Sequence, residues 1–185
     1  MGNIPKNIKR LLDTYFDYLE LKLPNVLANY YLYGSASLGA FKDGFSDIDF
    51  IAVMKRKLTE KDIDILKEIH KDMQRKYPKA SLDGFYIMDR ELESLNEGSI
   101  SCIYFNDGKF HGYKKFDKNS IDAYQLKEYG ITIKGQTIDD IPYTVNWDIL
   151  INNMRDNLNT YWLGWWNASK KFPSFRSISL LFSLR

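Results

Sequence analysis

The sequence predicts an α/β (α+β) fold, in which a small mixed β-sheet is flanked by helices and followed by a short helical domain. Apolar runs of strand length alternate with longer segments whose apolar residues recur at three- and four-residue steps. A glycine-rich loop separates the first two apolar runs, and beyond Thr144 the apolar residues follow only a helical spacing. We therefore expect one domain at residues 1–140 and a helical domain at residues 141–185.

Composition limits the classes of function. With a net charge of +2 over 185 residues, the chain gives no reason to expect broad electrostatic binding to nucleic acid. No apolar stretch reaches the length of a membrane span, and no signal-peptide core opens the chain. The single cysteine, Cys102, cannot form an internal disulfide and fits the reducing cytoplasm. His70 and His111 are isolated, so no Cys/His cluster supports a zinc site.

The first helix and the first strand are indicated by prolines and by apolar spacing. Pro5 suits the first helical position of a segment from Ile4 to Lys22, and Pro24 ends it. The first strand is expected at about Asn29 to Tyr33. The helical stripe consists of Ile8, Leu11, Leu12, Tyr15, Phe16, Leu19 and Leu23.

A glycine-rich loop follows the first strand. Gly34 and Ser35 end that strand and open a short helical turn, which we expect from Ser35 to Lys42. A helix N-terminus suits a phosphate group, because it offers free backbone N–H groups and a positive dipole end. The loop is therefore a candidate phosphate site.

Two acids stand at the beginning of the second strand. If Ile48 to Val53 is a strand, Asp47 and Asp49 project from one face, because residues two apart in a strand share a face. Adjacent carboxylates repel each other unless a cation lies between them, and Mg²⁺ is a hard cation that prefers oxygen ligands. Together with the loop, the pair predicts a nucleoside triphosphate bound through Mg²⁺.

A strand–helix–strand unit adds a third acid. Thr59 is expected to cap a helix from Glu60 to Tyr77, and the strand after it runs from Ser81 to Met88. Asp83 stands at the start of that strand, where it could join the acid pair. The alternative is that Asp83 is a turn residue beside Gly84.

The remaining elements are a hairpin, a short helix, a short strand and the helical domain. Ser101 to Phe105 and Lys109 to Gly112 flank Asn106-Asp107-Gly108, which is a strong hairpin signal. Ile131 to Gly135 reads as a short strand or an extended link. In the helical domain, we expect most of one stripe to be core: Leu150, Met154, Leu158, Tyr161, Trp162 and Trp165.

These motifs carry a family resemblance. Gly34-Ser35, a loop and then Ser46-Asp47-Ile48-Asp49 resemble the signature of the polymerase-beta-like nucleotidyltransferase superfamily, and most closely its aminoglycoside adenylyltransferases that act on streptomycin and spectinomycin. Glu128 to Gly135 also resembles the segment that joins the catalytic and helical domains in those enzymes. The resemblance implies a polymerase-beta-like nucleotidyltransferase fold with a partial C-terminal helical domain, since the family's last helices are missing here.

The resemblance also implies an activity and a set of site residues. AMP would be transferred from ATP to a hydroxyl of a small acceptor, an aminoglycoside in the first instance. Asp47 and Asp49 would bind Mg²⁺, and Asp83 would join them as metal ligand and general base. The compared enzymes have Glu at that third position, and Asp is shorter by one methylene. The nucleotide-binding positions would be Gly34, Ser35 and Ser46.

Two alternatives stay open at this point. The chain could transfer AMP to a protein, as small antitoxin-type nucleotidyltransferases do, although the helical segment after Thr144 argues mildly against this. It could also be a non-catalytic nucleotide-binding protein, although the intact Asp47 and Asp49 argue against loss of metal binding. A shortened helical domain would expose tryptophans, which a homodimer could cover.

Overall fold

The computed structural model describes residues 4–95, 98–141 and 143–171. In chain order its elements are α1 (Lys6–Lys22), β1 (Leu27–Leu32), α2 (Gly34–Ser37), β2 (Ile48–Met54), α3 (Glu60–Lys76), β3 (Leu82–Met88), α4 (Asp89–Ser94), β4 (Ser99–Asn106), β5 (Lys109–Asp117), α5 (Ile121–Tyr129), β6 (Ile131–Lys134), α6 (Trp147–Asn157), a π-helical turn (Leu158–Trp162) and α7 (Leu163–Lys171). The strands form one six-stranded sheet in the order β5-β4-β3-β2-β1-β6. In this sheet β2 and β3 pair in parallel, while the other neighbouring strands pair antiparallel, so the predicted mixed sheet is confirmed.

Helices cover both faces of the sheet. On one face, α1 and α3 bury their apolar stripes in a core that includes Leu66 of α3 and Phe50 of β2. On the other face, α4 and α5 contribute Leu92 and Leu126 to a second core that includes Ile51. Because successive residues of a strand point to opposite faces, the odd-numbered residues of β2 belong to the second face.

Two element boundaries differ from the sequence prediction for local reasons. Pro5 is extended, with ψ 137°, and therefore precedes α1 instead of occupying its first helical position. The turn after Gly34 is a helix only as far as Ser37, not as far as Lys42. Gly39 has φ +70°, in the left-handed region, so the helix cannot continue through it.

The predicted hairpin is present and longer than the sequence suggested. Asp107 and Gly108 form its two-residue turn, with φ +51° and +63°. Positive φ at both turn residues is typical of a type I′ turn, whose twist matches that of the flanking strands. The hairpin therefore has a well-defined tip that begins and ends at Asn106 and Lys109.

The chain divides into two compact units. One comprises residues 1–118 and 122–145, and the other comprises residues 119–121 and 146–185. The sequence-based boundary at residue 140 lies a few residues before this division. Within the described part of the chain, no helix is both long enough and apolar enough to cross a membrane.

The expectation that the helical stripe of the second unit is core was wrong for most of its members. Leu150 is buried and Trp165 is partly buried. The described residues of this unit provide one continuous helical rod and the short segment 119–121, which is too little structure to enclose a stripe on all sides. The exposed members are Met154, Leu158, Tyr161 and Trp162. Residues 172–185, with the Ser- and Leu-rich tail, lie outside the described residues.

Candidate functional site

The parallel pairing of β2 and β3 brings the predicted acids together. The register sets Asp49 opposite Asp83 and Ile48 opposite Leu82. In-register residues of parallel neighbours share a face, so both carboxylates project from the second face at the beginning of their strands. Asp47 directly precedes β2. The three acids singled out in the sequence therefore meet at one edge of the sheet.

Asp83 is buried inside β3, so its interpretation as a turn residue beside Gly84 is wrong. Gly84 also lies inside β3, where a Cβ atom would stand 2.1 Å from the backbone oxygen of Phe50. A glycine is needed there because the two parallel strands approach each other closely. The strand pairing consequently fixes the position of Asp83 firmly.

The environment of Asp83 raises its pKa to about 6. Burial is the main cause, and the nearby carboxylates of Asp47 and Asp107 add to the rise. The Ser81 hydroxyl and the Asp107 backbone N–H both donate hydrogen bonds to the Asp83 carboxylate, which act in the opposite direction. A cation bound beside these carboxylates would relieve the repulsion that contributes to the raised pKa of Asp83.

The structure adds Asp107 to the site, a residue that the sequence indicates only as part of a turn. One carboxylate oxygen from each of Asp47, Asp83 and Asp107 lies within 4.8 Å of the others. The antiparallel pairing of Gly84 with Phe105 places the hairpin tip beside the beginning of β3. That pairing is the signal that could have found Asp107, because a hairpin paired with β3 must turn at the edge that carries the acids.

Asp49 contacts the glycine-rich loop. A Cβ atom on Gly34 would stand 2.0 Å from Oδ2 of Asp49, so the carboxylate lies directly against the Gly34 backbone. Gly34 has φ +64°, and the backbone N–H of Tyr33 donates to the Asp49 carbonyl at 3.1 Å. Asp49 is not in the close group of Asp47, Asp83 and Asp107. It connects that group to the loop instead.

Hydrogen bonds order the loop itself. The Ser37 hydroxyl donates to the Gly34 carbonyl at 3.0 Å, which closes the single turn of α2. Ser46 Oγ accepts from the Lys42 N–H at 3.0 Å, and the Ser46 N–H donates to the Lys42 carbonyl at 2.9 Å. Ser35 is partly buried at the start of α2. The loop thus has a defined shape around the backbone of Gly34 and Ser35.

An aromatic and charged border lies on the same face of the sheet. Burial raises the pKa of Tyr104 to about 12, and the charges of Asp83 and Asp122 add to the rise, so this hydroxyl lies near both acids. Lys114 Nζ lies 4.3 Å from the centre of the Tyr104 ring. Burial raises the pKa of Asp122 and Lys114 lowers it. The sequence alone does not indicate Asp122, because no motif surrounds it.

These residues fit a divalent cation of the Mg²⁺ type. Three carboxylates supply hard oxygen donors at close range, and a fourth, Asp49, lies beside them against the loop backbone. A backbone left open by a glycine at positive φ can also approach an anion closely. The arrangement can therefore bring a metal ion and a phosphate group together.

Comparison with solved structures finds a similar fold. Spectinomycin adenyltransferase AAD(9) from Enterococcus faecialis, solved with ATP and spectinomycin, superposes with a TM-score of 0.65 and 17% sequence identity. The match covers 82% of this chain and 66% of that one, so this chain spans less than two thirds of that protein's length. At this identity the likeness shows the fold alone, so the predicted mixed α/β fold, shared with this adenyltransferase structure, is confirmed.

Other comparisons are weaker or negative. A toxin–antitoxin structure with AMP-PNP matches 91% of this chain at 13% identity, but its TM-score of 0.37 is too low to support an argument. No protein-family model matches the sequence, and no curated protein matches it significantly.

Proposed function

We propose that this protein is an Mg²⁺-dependent nucleotidyltransferase that moves AMP from ATP to a hydroxyl group of a small acceptor, of the aminoglycoside class. The observation that carries the proposal is the close group of Asp47, Asp83 and Asp107. Asp49 lies between this group and the backbone of the Gly34 loop. The fold shared with a spectinomycin adenyltransferase supports this activity and this class of acceptor. ATP as the donor fits a cytoplasmic protein.

The residues divide the chemistry between them. Asp47, Asp49 and Asp83 are the proposed metal ligands, and the Asp107 carboxylate lies close enough to Asp47 and Asp83 to support the same ion. Mg²⁺ bound there would polarise the α-phosphate and offset the charge of the leaving group. The backbone N–H groups of Gly34 and Ser35 would bind the terminal phosphates, while Ser46 holds the loop in shape and contacts the nucleotide.

Asp83 is the proposed base for the acceptor. Its carboxylate would accept the proton of the acceptor hydroxyl as the new bond from oxygen to the α-phosphorus forms. The bond from the α-phosphorus to the bridging oxygen breaks, and pyrophosphate leaves with the electron pair. The backbone N–H of Asp107 would help to hold the Asp83 carboxylate in position during this step.

Pyrophosphate release from ATP tests the proposal. Streptomycin, spectinomycin and kanamycin are supplied separately with Mg²⁺, and one of them is expected to stimulate release. Asp47→Asn should reduce the stimulated rate about 100-fold or more, because it removes a metal ligand. Asp64→Asn is the matched control, since Asp64 is an exposed acid on α3 and pairs only with the surface Lys67 among its described contacts.

Two results would contradict the proposal in different ways. ATP binding without release in the presence of any of the three antibiotics would refute the small-acceptor part and favour a protein acceptor or a binding protein. Equal rates in the wild type and Asp47→Asn would show that the chemistry does not use this site.

A further inference from the structure

An exposed aromatic stripe runs along the second unit. It consists of Trp147, Met154, Leu158, Trp162 and Trp166, which are between 38% and 58% exposed. α6, the π-helical turn and α7 form one continuous rod that carries all five. Leu150 and Ser169 on the same rod are buried, whereas the five side chains of the stripe are exposed. Contiguous apolar surface of this kind marks an interaction site.

The π-helical turn keeps the stripe straight. Its members are spaced by seven, four, four and four residues. In a continuous α-helix, each four-residue step advances by about 40° around the axis, so three in succession would wind the stripe away by about 120°. The π-helical turn Leu158–Trp162 has more residues per turn than an α-helix. The step from Leu158 to Trp162 therefore rotates in the opposite direction and offsets part of the winding. A straight stripe can contact a second straight helix along its whole length.

The size of the stripe suits a pair of identical surfaces. Trp147, Trp162 and Trp166 each expose roughly half of a side chain that buries about 150–250 Å² in full. With Met154, Leu158 and the neighbouring exposed Tyr161 and Leu163, one copy offers on the order of 600–700 Å². Two copies would bury about 1,300 Å², within the range of specific protein–protein interfaces.

Charge determines the direction of pairing. Asp148 lies in the first turn of the rod, and Lys170 lies near its end, with its ammonium 5.1 Å from the Trp166 ring. In an antiparallel pair centred near Leu158, Asp148 of each copy would face Lys170 of the other. The two helix dipoles would also be antiparallel, which is the favourable arrangement. A parallel pair would bring like charges together.

We propose that the aromatic stripe binds the same stripe of a second copy of this chain, antiparallel, in a symmetric homodimer with Leu158 at the two-fold axis. Two features indicate a second copy of the chain as the partner: the area of the stripe and its self-complementary charges. The inference does not depend on the enzymatic activity proposed above.

Mass and tryptophan emission of the full chain test the homodimer directly. Light scattering should give twice the 21.7 kDa of one chain at micromolar concentration, and half that value on dilution. All four tryptophans lie between residues 147 and 166, so their emission reports on this unit alone. Emission should shift to the red as the dimer dissociates.

Leu158→Glu should raise the dimer dissociation constant at least about 30-fold, because each copy then places one negative charge at the centre of the interface. The matched control is Leu21→Glu, since Leu21 is 78% exposed on α1, outside the stripe. Circular dichroism checks that both variants fold. Equal dissociation constants for the wild type and Leu158→Glu would overturn the proposal.

A charge exchange tests the antiparallel direction without replacing any apolar residue of the stripe. Asp148→Lys and Lys170→Asp should each weaken the dimer roughly three- to tenfold, and the double variant should restore it, because every exposed ion pair occurs twice. Failure of the double variant to recover would refute the antiparallel arrangement. A monomer at all concentrations, with emission independent of dilution, would overturn the homodimer.

Discussion

Replacing Gly34 with alanine should disable the candidate site while leaving the fold intact. The new Cβ would stand 2.0 Å from Oδ2 and 2.8 Å from Cγ of Asp49. Ordinary contact requires about 3.5 Å, so the carboxylate must move by about 1.5 Å. Catalytic and metal-binding groups tolerate displacements of only about 0.5 Å. We therefore expect Gly34→Ala to weaken Mg²⁺-dependent ATP binding at least about tenfold.

Backbone strain must be separated from this effect. Alanine at positive φ costs about 1–2 kcal/mol wherever it is placed. Gly39→Ala is the matched control, because Gly39 has φ +70° in the same loop and no atom lies within 4 Å of its added Cβ. Both variants should lower the melting temperature by a similar amount, roughly 2–8 °C for a chain of this size.

Calorimetric titration of ATP in the presence of Mg²⁺ distinguishes the two variants. The expected result is wild-type affinity for Gly39→Ala and weakened binding for Gly34→Ala. If Gly34→Ala binds ATP as the wild type does, then the contact between the loop backbone and Asp49 is irrelevant to nucleotide binding. If both variants lose binding equally, strain in the loop is sufficient to explain the loss.

Three further predictions concern the hairpin acid, the buried histidine and the strand pair. Asp107→Asn should weaken Mg²⁺ binding about tenfold without changing the melting temperature by more than a few degrees, and a calorimetric titration with unchanged affinity would remove Asp107 from the site. Burial lowers the pKa of His70 to about 3, so the folded protein binds fewer protons than the unfolded chain between pH 6.5 and 3, and stability falls as the pH is lowered through that window. Between pH 7 and 4.5, His70 should lower the free energy of unfolding by about 2.5 kcal/mol. Urea unfolding of the wild type and of His70→Phe at both pH values measures this loss, and an equal pH dependence of the two proteins would contradict it. Gly84→Ala should cost about 3 kcal/mol in the same assay, the upper end of the usual cost of overpacking, because its Cβ meets the Phe50 carbonyl. Gly164→Ala, with open space around its Cβ, should not destabilise the chain, and equal stabilities of the two variants would contradict the close strand contact.

The acid pair could be predicted from the sequence because its cause is local. Alternation along a strand is enough to place Asp47 and Asp49 on one face, and Ile48 on the other. The resemblance also identified Asp83, but only the parallel register shows that it lies opposite Asp49. Register depends on how two strands pair, which a single segment does not encode.

The contribution of the hairpin could not be read from its own residues. The wording Asn106-Asp107-Gly108 predicts a turn, and the structure has that turn. Its place beside Asp83 follows from pairing between β3 and β4, which are separated along the chain by α4. The exposure of the helical stripe could not be predicted from the sequence either. Helical spacing indicates that a helix has an apolar face, but it does not indicate which part of the protein covers that face.

Labelled ATP gives the most direct test of the central claim. The protein is incubated with Mg²⁺, the acceptor that stimulates pyrophosphate release, and ATP labelled either at the α- or at the γ-phosphate. The account predicts that only the α-label reaches the acceptor, that the γ-label leaves as pyrophosphate, and that Asp83→Asn abolishes both. Transfer of the γ-label to the acceptor, or undiminished transfer by Asp83→Asn, would contradict it.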